Sequence, residues 1–150
     1  MAKIRITKEF SFDMAHALLN YDGLCRNVHG HTYKLAVTLI GSPIEIQNDP
    51  KLGMVIDFSD LKTIVKQPIV DVFDHAIVLK EGHKAIPSML ELNDFGKTIV
   101  LPFQPTCENL VIHFVGMIND KLPKGVTLYS LRLHETPTSY AEWFSVDNES

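Results

Sequence analysis

Apolar and polar positions alternate from residue 3 to residue 16. Ile4, Ile6, Phe10, Phe12 and Met14 fall on one face, and Lys3, Arg5, Thr7, Glu9, Ser11 and Asp13 on the other. A period of two predicts a half-buried strand, and His16 continues its apolar register. Residues 17–28 break the pattern, with Asn20, Asp22 and Gly23 marking a loop that carries Cys25. A second alternation starts at His29 and places His31, Tyr33, Leu35, Val37 and Leu39 on one face, with Thr32, Lys34 and Thr38 opposite. Gly41, Ser42 and Pro43 end it, and residues 47–53 read as a loop. The period then changes. Leu61, Ile64, Val65, Ile69, Val72 and Phe73 follow helical spacing behind Asp57 or Ser59 as a cap. Pro68 lies inside that run and forfeits an N–H bond, which predicts a kink or two short helices. The stretch 80–97, with Gly82, Pro87, Asn93 and Gly96, reads as an irregular excursion, and Thr98–Leu101 as a short strand. Thr106 is placed to cap a second helix with Leu110, Val111, Phe114, Met117 and Ile118 on its apolar face, stopped by Pro123 and Gly125. Strands at 126–135 and 140–146 follow, joined by a turn at residues 136–139.

The order is two strands, two helices, two strands. Consecutive strands joined by short connections predict an α+β fold: a four-stranded antiparallel sheet with two helices on one face. Residues 1–150 form one domain, without linker, repeat or low-complexity tract. A sheet of this kind leaves long edges, which predicts a homo-oligomer.

Composition narrows the function classes. Apolar residues at 45% and charged residues at 21% describe an ordinary globular protein. A net charge of −4 gives no global field for gripping nucleic acid. The opening residues lack the apolar run of a signal peptide, and the longest apolar stretch, 110–118, is far too short for a bilayer. Two cysteines cannot build a disulfide framework, so a reducing cytoplasm is expected. The unusual count is seven histidines.

His29 and His31 share a strand face, with Cα atoms roughly 6.6–6.8 Å apart, close enough for both rings to reach one ion. His16 lies in the apolar register of the neighbouring strand. Three neutral histidines without a fourth protein ligand describe an open metal site suited to catalysis. Cys25, four residues before His29, is either a thiolate hanging over the metal or a small buried hydrophobe. Cys107 opens a helix and is expected to fill space. Asp74 and His75 can cooperate only if the chain leaves the helix between them, because adjacent helical residues face apart. Glu135 shares the register of Leu131 and Leu133, so its carboxylate needs a partner, either inside a site or in a salt bridge to Arg or Lys. Glu108 and Asn109 are simplest as first-turn helix residues, His113 as a core residue, and His83 and His134 as bystanders.

Several blocks together resemble the pyruvoyltetrahydropterin and 6-carboxytetrahydropterin synthase family. They are residues 10–16 (FSFDMAH), 25–31 (CRNVHGH), 53–58 (GMVIDF), 74–75 (DH), 105–109 (PTCEN) and 135–136 (ET), in that order and across nearly the whole chain. The resemblance implies a tunnelling fold whose subunits close into barrels, as trimers or hexamers. It also implies Zn2+ on His16, His29 and His31, proton transfer by Cys25 with Asp74 and His75, a pterin ring anchored by Glu135, and a pocket lined by Thr106 and Glu108.

The short gap between Cys25 and His29 is similar to that of the bacterial carboxytetrahydropterin enzymes of queuosine synthesis. The implied activity is a zinc-dependent lyase converting 7,8-dihydroneopterin triphosphate to 6-carboxy-5,6,7,8-tetrahydropterin with release of triphosphate and acetaldehyde. Formation of pyruvoyltetrahydropterin, or a non-catalytic zinc-stabilised pterin-binding module, are the alternatives. Two departures bear on loop geometry and side-chain specificity: Leu79-Lys80 replaces the common Leu-Asn, and the 80–97 excursion is long.

Overall fold

The computed structural model describes residues 1–92, 94 and 96–150. Strands β1 (Ile4–His16) and β2 (His29–Gly41) form a long antiparallel ladder from Ile4↔Gly41 to His16↔His29. β5 (Val126–Thr136) pairs antiparallel with β2, and β6 (Ser139–Phe144) with β5.

The expected four-stranded sheet is too small. Among the described residues the sheet has six strands in the order β4-β3-β1-β2-β5-β6. β3 (Ala76–Lys80) lies parallel to β1, and β4 (Thr98–Leu101) parallel to β3. The reason is one of length: a five-residue apolar run has no measurable period, and it follows a helix without a turn signal. The excursion between β3 and β4 also contains a short helix, α3 (Ile86–Glu91), with Pro87 in its first turn, where a missing N–H costs nothing. Asn93, one of the loop markers named above, lies outside the described residues.

The first helical region matches the expected kink. α1 (Phe58–Val65) is capped by Asp57, whose side chain accepts the Ser59 N–H at 2.8 Å. Around Pro68 the helix widens into a π turn over Lys66–Val70 before α2 (Asp71–Phe73) closes it. A wider turn accommodates the bond that proline cannot make. It also keeps Leu61, Val65, Ile69 and Phe73, each four residues apart and all buried, on one face. α4 (Cys107–Ile118) is capped by Thr106, whose hydroxyl oxygen accepts the Asn109 N–H.

The helices pack on the apolar sheet face. Phe12 stacks on Tyr33 with centroids 5.4 Å apart, and Phe114 meets Phe12 and Phe73 edge-on. Leu35, Val37, Leu39, Leu131 and Leu133 complete the sheet side of this core. Among the described residues no helix is long and apolar enough to cross a membrane.

Candidate metal centre and its surroundings

The apolar stripe of the sheet does not stop at the core. It runs through Phe12↔Tyr33 and Met14↔His31 to His16↔His29, so ladder register alone delivers three imidazoles to one end of the buried face. Their ring centroids lie 4.6, 4.9 and 5.3 Å apart, and one nitrogen of each falls within 4.8 Å of the others. The Nε2 atoms of His16 and His29 approach to 3.0 Å.

Two of the rings are held from behind. His16 Nδ1 lies 2.7 Å from the Pro105 carbonyl, and His29 Nδ1 lies 2.8 Å from the Asn27 carbonyl. A carbonyl only accepts, so each Nδ1 carries the proton and each Nε2 lone pair is left for the cluster. Burial lowers the pKa of His16 and of His31, which favours the neutral form that a metal ligand requires. Three converging imidazole nitrogens, two of them on rings whose tautomers are fixed, suit a borderline divalent ion.

Glu135 leans on this cluster. By register it faces the same side as Tyr33, and its Oε1 lies 3.5 Å from His16 Nε2 and 3.7 Å from His31 Nε2. Its partners are therefore histidines and not the Arg or Lys of a structural salt bridge. Tyr33, fully buried two residues after His31, closes the wall of the site. Burial first, and the neighbouring Glu135 second, push its phenol far above the ordinary range, so it stays protonated. The shared period with His31 was the available signal for this residue. Pro105 and Gln104 carried none. Gln104 clamps the β1–β2 loop by accepting the Leu19 N–H at 3.0 Å and donating to the Leu19 carbonyl at 2.8 Å.

Asp74 and His75 come within reach of each other, because the chain leaves the helix after Phe73. Asp74 is extended (ψ 131°) and His75 is left-handed (φ 60°), which brings Asp74 Oδ2 to 3.0 Å from His75 Nδ1. The corner is anchored to β1: the Asp13 N–H donates to Asp74 Oδ1 at 2.9 Å, and the His75 N–H donates to the Asp13 carbonyl at 2.6 Å. The first of these bonds, with His75 and Lys97 adding to it, holds the Asp74 carboxyl below the usual range. The Asp13 side chain accepts from Thr32 Oγ1 at 2.6 Å and gathers with Asp74 and His75. Asp13 alternates with Phe12 and Met14, so this second group sits on the sheet face away from the histidine triad.

Cys25 is half-buried in a 3-10 turn, Leu24–Arg26, whose other two residues are exposed, and its carbonyl accepts the Leu18 N–H. Its thiol belongs to neither cluster. Cys107 is no substitute: it is buried, donates to the Leu133 carbonyl at 3.0 Å, and burial pushes its thiol up to about 11. Thr106 acts as the helix cap, and Glu108 shares a small cleft with Glu135, Ser139 and Tyr140. His113 packs among Phe73, Phe103 and Phe114, and His134 lies against Tyr140. His83 accepts the Ala85 N–H in a turn. None of these three joins either cluster.

Comparison with known proteins identifies the family. The family model for 6-pyruvoyl tetrahydropterin synthase matches residues 5–145. A protein of Haemophilus influenzae named 6-carboxy-5,6,7,8-tetrahydropterin synthase is 44% identical over 143 residues, covering 93% of this chain and 97% of its own. A protein of the same name from Rickettsia bellii is 32% identical, over 93% and 99% of the two chains. Among solved structures, Caenorhabditis elegans 6-pyruvoyl tetrahydropterin synthase superposes with a TM-score of 0.67 at 25% identity, covering 96% of each chain. An uncharacterized Wolinella succinogenes protein, 22% identical, shares the fold with a TM-score of 0.78 over 96% of this chain and 99% of its own. The chain belongs to the 6-pyruvoyl tetrahydropterin synthase family and is a lyase of its tunnelling fold.

Proposed function

We propose that this lyase is a zinc-dependent 6-carboxytetrahydropterin synthase acting in the cytoplasm on the route to queuosine and related deazapurines. It takes 7,8-dihydroneopterin triphosphate and one water to 6-carboxy-5,6,7,8-tetrahydropterin, triphosphate and acetaldehyde. The observation that carries this reading is the convergence of His16, His29 and His31, with Glu135 against them, in a chain 44% identical to a protein named for that product.

His16, His29 and His31 would hold the zinc, whose bound form supplies a Lewis acid for the vicinal hydroxyl oxygens of the substrate side chain. The remaining roles fall to the chain's own side chains. Glu135 accepts hydrogen bonds from the pterin amino and ring N–H groups, which fixes the ring and satisfies its charge. Thr106 and Glu108 line the ring pocket. Cys25 moves the proton between side chain and ring, with His75 held by Asp74 as its partner.

Cys25 and the Asp74–His75 pair lie in separate places of one chain, and the pair sits across the sheet from the triad. The reading therefore includes a homo-oligomer, a trimer or hexamer, in which Cys25 of one copy meets Asp74 and His75 of another. The test is incubation of the zinc-loaded protein with dihydroneopterin triphosphate and identification of the products by mass. A 6-carboxytetrahydropterin mass supports the assignment. A 6-pyruvoyltetrahydropterin mass would assign the chain to the other branch of its family, and no turnover would leave a pterin-binding module.

A further inference from the structure

The helix leading to the Asp74–His75 corner ends at Phe73, and the last carbonyls of any helix lack intrahelical N–H partners. One lysine serves this end. Lys97 Nζ donates to the Asp71 carbonyl at 2.6 Å and to the Asp74 carbonyl at 3.0 Å. A cation is favoured at a helix C-terminus, where carbonyl dipoles accumulate. The same residue also grips the far side of the corner, because its main-chain carbonyl accepts the Ile77 N–H of β3 at 2.8 Å. Lys97 thus spans the turn, with its side chain on the helix and its backbone on the strand.

The turn needs such a brace. His75 is not glycine yet sits at φ 60°, a conformation that persists only where the surroundings enforce it. The two bonds from Asp13 to this corner use main-chain atoms and survive replacement of the Asp13 side chain. The bonds from Lys97 to the helix end use its ammonium, so side-chain replacement removes them.

We propose that Lys97 is a positioning residue for the Asp74–His75 pair, its ammonium tying the Asp71 and Asp74 carbonyls together so that the His75 ring is held where proton transfer needs it. This rests on the assignment of Asp74 and His75 to that step. It also gives the long segment between β3 and β4 a role, since that segment carries the lysine to the corner. The competing duty for this cation is a triphosphate contact, since Lys97, Asp13 and His75 line one open cavity of about 500 Å³.

The experiment compares zinc-loaded wild type, Lys97→Met, Lys97→Arg and His75→Ala for kcat, KM with dihydroneopterin triphosphate, zinc content and Tm. Misplacement of a catalytic group by about 1 Å can cost about 100-fold, so Lys97→Met is expected to lose about 10- to 100-fold in kcat. KM should stay within about twofold, because no substrate contact is removed. Zinc content should not change. Lys97→Arg, which can donate to the same carbonyls, should recover kcat to within about threefold of wild type.

A wild-type kcat in Lys97→Met overturns the inference. So does a raised KM at unchanged kcat, which would make Lys97 a triphosphate contact, and so does a Lys97→Arg kcat no better than that of Lys97→Met. If Lys97→Met fails to fold, Lys97→Gln, which keeps N–H donors but loses the charge and is shorter, should give an intermediate kcat, and a wild-type value there overturns the inference equally. A near-normal kcat in His75→Ala removes the Asp74–His75 assignment and this inference with it. An inactive His75→Ala beside a fully active Lys97→Met removes the inference alone.

Discussion

His16 shows how one residue joins fold to chemistry. It ends β1, it is 2% exposed, and its two ring nitrogens serve different partners, with Nδ1 donating to Pro105 and Nε2 facing His29. Truncation of one ligand of three leaves an under-coordinated ion. Metal analysis of purified His16→Ala, His29→Ala and His31→Ala should therefore show zinc falling from about one per chain to a small fraction of that in each. Full zinc occupancy in all three would rule out the triad as the metal site. The cysteines give a second contrast. Iodoacetamide near neutral pH should label Cys25 and spare Cys107, whose thiol is buried and pushed up to about 11, with peptide mass mapping as the check. Cys25→Ala should keep its zinc and lose turnover, whereas near-normal kcat in that variant would end the thiol mechanism. At this scale the sequence was informative where register carried the signal. His16, His29, His31 and Glu135 all lie on predicted apolar faces; the β1–β2 ladder gathers the three histidines, and Glu135 reaches His16 and His31 from β5. The Pro105 carbonyl and the Lys97 ammonium act across sequence gaps of 89 and 23–26 residues, and no local pattern announces such partners.

Among the elements, long periodic segments were legible and short ones were not. β1, β2, β5 and α4 follow the alternations and caps visible in the chain, and Pro68 marks the place where the first helix widens. β3 escaped because Ala76–Lys80 is too short to show a period and runs parallel to β1, a pairing set by tertiary packing. That missed strand is also what fixes the Asp74–His75 corner, since it pairs with Met14–His16 immediately after the turn. The widened helix makes a stability claim. Ile69 is fully buried one turn beyond Val65, on the stripe that the π turn keeps facing the sheet. Ile69→Ala should cost about 2–5 kcal/mol in denaturant unfolding, the range for truncation in a packed core. A loss under about 0.5 kcal/mol, typical of an exposed position, would mean that the stripe does not carry the helix.

For the whole molecule, the open edges are the reason to expect an assembly. β3 covers only Met14–His16, so among the described residues the earlier part of β1 has a free edge, as does β6 at the other end of the sheet. Native sheets pair or cover such edges, and the oligomer proposed above would do so with Cys25 of one copy beside His75 of another. Co-refolding inactive Cys25→Ala with inactive His75→Ala should then restore part of the activity, because some interfaces carry both intact side chains. Each variant refolded alone must stay inactive, and mixing must be confirmed by mass. No recovery despite proven mixing would place both residues in one chain's site.

The proposed zinc-dependent cleavage would release two small products, acetaldehyde and triphosphate, from one substrate. Both are to be quantified from dihydroneopterin triphosphate, with metal-stripped protein and with the same protein reloaded with zinc. Equal amounts of the two products are expected, formed only after reloading and matched by 6-carboxytetrahydropterin. Triphosphate without acetaldehyde, or full turnover by the stripped protein, would contradict the proposal.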